Sequence, residues 1–170
     1  MKGYVDVSIP VKKYIKAYIV SQIGNEPKLR LGLHPILNKL YDLLQHKQNH
    51  QQTKITCNYS DQLRIYIPLE TFKRRGHHLN HSNVRAFNRD IERKIKHRFY
   101  ELMDDKIEIL PSFEAHLQEV RKKLGIDIEA WSDDSMKKNY YRYRLASGKP
   151  LLYKSFGVNV PSDKAADISF

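Results

Sequence analysis

Apolar and polar positions along the chain mark out its elements in order. Tyr4-Val5-Asp6-Val7-Ser8-Ile9 alternates with period two and stops at Pro10, which predicts a half-buried strand. Tyr14, Ile15, Tyr18, Ile19 and Ile23 recur at helical spacing with Lys12, Lys13 and Lys16 off the stripe, and Gly24 reads as the stop. Lys28-Leu29-Arg30-Leu31 reads as a short strand. Pro35 suits the first turn of a second helix with Ile36, Leu37, Leu40, Leu43 and Leu44 on one side, ending in the polar run Gln45 to Gln52 as a loop or frayed end. Thr53 to Tyr59 and Leu63 to Ile67 are strand-like, and Asn58, Ser60 and Asp61 between them predict a hairpin. Ile9-Pro10-Val11-Lys12-Lys13-Tyr14 and Ile67-Pro68-Leu69-Glu70-Thr71-Phe72 share one strand-to-helix junction; the likeness is read as architecture alone, because proline ends strands and opens helices in general.

The strongest signal follows. Val84, Phe87, Ile91, Ile95, Phe99 and Leu102 lie three or four apart and predict a helix over 82–103, capped by Asn80 or Ser82. Arg85, Arg89, Arg93 and Lys96 occupy another face of it. A helix over 112–124 opens at Pro111-Ser112, turns Phe113, Leu117, Val120 and Leu124 inward and ends at Gly125. After a linker from Ile126 to Trp131, Ser132 or Asp133 caps a last helix over 132–146, stopped by Ser147-Gly148-Lys149-Pro150. Leu151 to Val160 reads as a terminal strand and 161–170 as a mobile tail.

The fold class expected is α+β: a small, mainly antiparallel sheet with packed helices over 1–80, then a helical, helix-turn-helix-like nucleic-acid-binding part over 81–160.

Composition narrows the functions. At 170 residues the chain can bury a core of its own, and 41% hydrophobic with 29% charged residues argues for a folded protein. No apolar run reaches the roughly 18 residues of a membrane span, and the start lacks the pattern of a signal peptide, so a cytoplasmic protein with no membrane partner is expected. The single cysteine, Cys57, excludes an internal disulfide and any site needing two thiolates.

Charge points to a partner. Thirty Lys+Arg against 19 Asp+Glu gives a net +11, concentrated in two segments: ten basic against four acidic residues over 61–100, and six against two over 132–154. The last helix combines both features of a duplex reader. Met136, Tyr140 and Tyr143 fall on one face to pack on the preceding helix, while Lys137, Tyr141 and Arg144 fall on another with Lys138 and Arg142 beside it. Asn139 or an arginine would make base contacts in a major groove, and the remaining cations and Tyr141 would bind phosphates. The plan is that of a helix-turn-helix, except that seven residues separate Leu124 from Ser132 where three or four are usual. A winged variant follows if Lys149 to Val160 folds back, bringing Lys149 and Lys154 to the backbone.

The function expected is therefore duplex DNA binding by a regulatory or replication-associated factor, as a homodimer because one short helix reads few base pairs. The alternatives are a single-stranded DNA or RNA binder using the basic face of helix 82–103, and a protein-interaction module with an acidic partner. Phosphate-loop, dinucleotide, Gly-x-Ser-x-Gly and His-Glu-x-x-His patterns are absent, and no catalytic residue or cofactor is assigned. His77-His78-Leu79-Asn80-His81 and the pair His46 and His50 are the best metal candidates, but their polar, loop-like settings assign them no metal. A metal-dependent nicking enzyme with Tyr140 or Tyr141 as nucleophile is a weaker alternative, since His78-Leu79-Asn80-His81 lacks the two histidines flanking one apolar residue that such chemistry uses.

Overall fold

The computed structural model describes residues 3–23, 29–30, 35–46, 59–105 and 112–150. Strands β1 (Tyr4–Val11), β2 (Leu29–Arg30) and β3 (Asp61–Pro68) form a sheet of order β1-β3-β2. β1 and β3 run antiparallel from Tyr4 opposite Pro68 to Val11 opposite Asp61, and β2 lies parallel to β3. This register sets Val7 against Ile65 and Ile9 against Leu63, so the apolar rows of both strands share one buried face.

β1 continues through Pro10, where it was expected to stop. It is an edge strand, and the Pro10 carbonyl accepts from Asn88 Nδ2 at 3.0 Å, so the proline turns its polar edge away from β3 and its missing N–H removes nothing from the ladder. The described partners of β3 are β1 and β2; the first strand of the expected hairpin, over 53–58, lies outside the described residues, as do Gly24, most of the polar run over 45–52, Pro111, the terminal strand with Lys154, and the tail.

Six α-helices complete the described fold: α1 (Lys13–Ile23), α2 (Lys39–Leu43), α3 (Leu69–Arg75), α4 (His81–Asp105), α5 (Phe113–Leu124) and α6 (Asp133–Ala146). The helix expected from Pro35 is instead a 3-10 turn, Pro35–Leu37, followed by the short α2. Side chains from elsewhere take over its terminal carbonyls: Arg75 donates to Tyr41 O at 2.7 Å and Asn83 to Leu43 O at 2.6 Å.

α4 is the spine. Asn80 caps it by accepting from Asn83 N at 2.8 Å, and Phe87, Ile91, Ile95, Phe99 and Met103 are fully buried. A stripe that advances by four residues gains about 40° per step, so the buried face winds around the helix. The first half therefore meets β1 and α2, with Asn88 Oδ1 accepting from Lys12 N at 3.1 Å, while the second half meets α5 and α6. One hydrophobic cluster extends from Val7 to Tyr140 through it.

Ser112 caps α5, accepting from Ala115 N at 3.1 Å. Gly125 ends it with φ 63, and a side chain there would also collide with Ser21 of α1, whose hydroxyl donates to Leu124 O at 3.0 Å. In the seven-residue linker, Asp127 Oδ1 accepts from Ala130 N at 2.6 Å, and Trp131 packs on Tyr14 and Phe99 with ring centroids 5.3 and 5.2 Å away. Ser132 caps α6; Asp133 pairs with the buried Arg121 and accepts from Gln118 at 3.2 Å.

Candidate nucleic-acid interface

The inner face of α6 is Met136, Tyr140 and Arg144, spaced four apart and all buried. Arg144 was expected among the outward cations, and the fold corrects this: the residue is 7% exposed. It donates to Asp104 Oδ1 at 3.1 Å, to the Tyr140 hydroxyl at 3.1 Å and to Pro150 O at 3.0 Å. An arginine four residues after a buried tyrosine shares its stripe, and Asp104, near the end of α4, supplies the counter-charge that permits burial.

Asp104 is a hub. Its two oxygens accept from the hydroxyls of Tyr140 (2.7 Å) and Tyr143 (3.1 Å), from Arg144 (3.1 Å) and from Lys149 Nζ (2.5 Å). Burial opposes its charge, but the hydrogen bonds from Lys149, Tyr140 and Tyr143 outweigh it and hold the carboxyl below the ordinary range. Lys149, expected at a nucleic-acid backbone, is thus tied to Asp104 and the Tyr143 hydroxyl. Burial, and then the hydrogen bond to Asp104, pushes the Tyr140 hydroxyl well above the usual phenol range.

The rest of α6 divides sharply. Lys137 pairs with Glu114 at 3.1 Å, and Asn139 Nδ2 donates to Ser135 O at 2.7 Å, which uses part of the amide that was expected to read bases. Tyr141 is half-buried, and burial raises its hydroxyl pKa. Lys138 and Arg142 are exposed, have no ion-pair partner among the described residues, and lie about 160° around the helix from Tyr140, facing outward.

α4 offers a cleaner array. Arg85, Arg89 and Arg93 are exposed and have no ion-pair partner among the described residues; the four-residue step places them about 6 Å apart along the axis. Lys96, grouped with them from the sequence, instead pairs with Glu92 at 2.9 Å. Glu92 also takes Lys12 Nζ at 2.6 Å and the Tyr14 hydroxyl. Burial works against its charge, yet the hydrogen bonds from Lys12, Lys96 and Tyr14 hold its carboxyl down at about 2.

Glu92 and Asp104 were missed from the sequence. Their signal was nevertheless there: Glu92, Lys96, Tyr100 and Asp104 repeat every four residues along one half-buried stripe. Tyr100 stacks on Tyr143 with centroids 4.1 Å apart and planes 4° from parallel, fixing α6 to this stripe. Of the candidate histidines, His46 Nε2 lies 3.2 Å from Arg74 O, His78 exchanges backbone hydrogen bonds with Gln45, His77 stacks on Phe72, His81 opens α4 and His50 lies outside the described residues. Among the described residues no three His, Cys, Asp or Glu side chains gather in a group able to hold a metal ion, and no helix is long and apolar enough to cross a membrane. Neither protein-family profiles, nor curated proteins, nor solved structures give a match to this chain.

Proposed function

We propose that this protein binds nucleic acid, and duplex DNA in particular, through phosphate contacts made by Arg85, Arg89 and Arg93 of α4 with Lys138 and Arg142 of α6 as a second set. The observation that carries the reading is the row of three exposed guanidiniums, without an ion-pair partner among the described residues, on one face of the helix that forms the core of a chain with net charge +11. Guanidinium groups bind phosphate bidentately, and a rigid helix presents them at constant spacing without further ordering cost. A duplex is favoured over a single strand because single-strand binders track successive bases on several open aromatic platforms, whereas Tyr100 is the one Tyr, Phe or Trp beside the row among the described residues, and Tyr143 takes one of its two faces.

The reading predicts a linear fall of log K with log salt, of slope about −0.9 per phosphate neutralised. Fluorescence-anisotropy titrations of duplex DNA, single-stranded DNA and RNA across a salt series test it. Binding that ignores salt, or no binding at low salt, would defeat it, and a preference for single strands would shift the reading to that class.

A further inference from the structure

Arg89, Glu92, Arg93, Lys96 and Tyr100, with His97 at the edge, surround a surface depression of about 380 Å³ on α4. We infer that this depression is a subsite for one nucleoside monophosphate unit, with its phosphate between Arg89 and Arg93 and an amine-bearing base against Tyr100, an inference that rests on the proposed nucleic-acid function and sharpens it. The volume lies in the range of about 300–1,000 Å³ typical of small-ligand sites.

The two ends of the depression differ in chemistry. At one end, two guanidiniums with no ion-pair partner among the described residues stand one helical turn apart, an arrangement suited to a phosphate. At the other, Tyr100 lines the depression while Tyr143, stacked on one face of its ring, does not, which leaves the opposite face of a buttressed ring for a ligand. A base placed there would extend an existing aromatic stack.

Glu92 supplies the specificity. A carboxylate has about four lone-pair positions; Lys12 takes one on Oε2 at 2.6 Å and Lys96 one on Oε1 at 2.9 Å, with Tyr14 beside them, so acceptor capacity remains for an open position. Those same partners balance its negative charge, so it need not repel the phosphate. An exocyclic amine of adenine, cytosine or guanine would donate to the open position, while uracil and thymine have no exocyclic amine and offer only a ring N3–H flanked by two carbonyls that the carboxylate repels. Such a unit comes either as a free nucleotide or as the terminal nucleotide of a strand.

The test is calorimetric titration of the full chain with AMP, CMP, UMP and inorganic phosphate, beside anisotropy titrations of duplexes ending in 5′-phosphate or 5′-hydroxyl. AMP and CMP should bind saturably and about tenfold more tightly than inorganic phosphate, with UMP weaker than either. Arg89→Gln with Arg93→Gln should lower AMP affinity about tenfold. Lys73→Gln with Arg74→Gln, which removes the same charge from exposed positions on α3, should change it less than about twofold. Tighter binding of the 5′-phosphate duplex assigns the subsite to strand ends, and equal binding of both duplexes assigns it to the free nucleotide. Equal affinity for AMP and inorganic phosphate, or no AMP binding while duplex binding persists, overturns the subsite and leaves the broader function standing. AMP binding without any duplex binding does the reverse.

Discussion

The two basic helices look alike in composition and differ in what their charges do. Of the cations in and just beyond α6, Lys137 is held by Glu114, and Arg144 and Lys149 by Asp104, leaving Lys138 and Arg142. Along α4, Asp90 pairs with Lys94, Glu92 with Lys12 and Lys96, and Glu101 with Arg98, so the row Arg85, Arg89 and Arg93 has no ion-pair partner among the described residues. The positive groups of α6 largely secure the helix to the protein, whereas the arginine row of α4 remains exposed. A cation counted in a sequence becomes a binding group only after the fold has assigned its partners.

The sharpest break in this comparison is Tyr140→Ala. It removes a buried ring that packs beside Phe99 and Phe113 and donates to Asp104, and should cost about 3–5 kcal/mol of stability in denaturant melts. A near-neutral result would mean that α6 is not held through its aromatic face. Asp104→Asn comes next. Arg144 would keep its buried charge without an ionised partner, and about 2 kcal/mol should be lost, less than for a fully buried pair because Asp104 is partly exposed. Lys149→Met, which leaves Asp104 with three donors, should cost much less in the same melts.

Binding measurements sharpen the contrast in the other direction. Replacing Arg85, Arg89 and Arg93 by Gln should reduce the magnitude of the salt slope for duplex binding by about 2.7, against about 1.8 for Lys138→Gln with Arg142→Gln. The reverse ranking would return the principal contact to α6. Neither set should shift the melting temperature appreciably, since all five side chains are exposed and none has an ion-pair partner among the described residues.

Acid gives the smallest effect. Glu92 and Asp104 both have folded-state pKa values below their unfolded ones, so their contributions are present above the ordinary carboxylate range and fade as pH falls through it, that of Glu92 down to about 2. Chemical denaturation at pH 5 and pH 3 should show a lower stability at pH 3, reduced further by net positive charge. In Asp104→Asn the decrease should be smaller.

Much of the fold was legible because local pattern and local chemistry agree. The six-residue alternation before Pro10, the stripe from Val84 to Phe99, the caps at Asn80, Ser112 and Ser132 and the stop at Gly125 each rest on neighbours close in sequence. Where the reading slipped, the deciding partner was distant: Asn88 of α4 accommodating Pro10, Arg75 and Asn83 shortening the helix after Pro35, and Asp104 drawing in Arg144 and Lys149 from more than 35 residues away. The candidate interface divides in the same way. Its residues were visible as basic positions at helical spacing, but their availability was not.

By itself, then, the sequence determined the class of the fold, the positions of its long helices and the net charge that suggests a polyanionic partner. Periodicity and capping act over three or four residues, and charge is a sum that needs no geometry. Tertiary structure alone decided which cations are free. Ion pairing falls off within a few ångströms, so whether an arginine is an anchor or a contact depends on which carboxylate the packing of distant helices brings beside it.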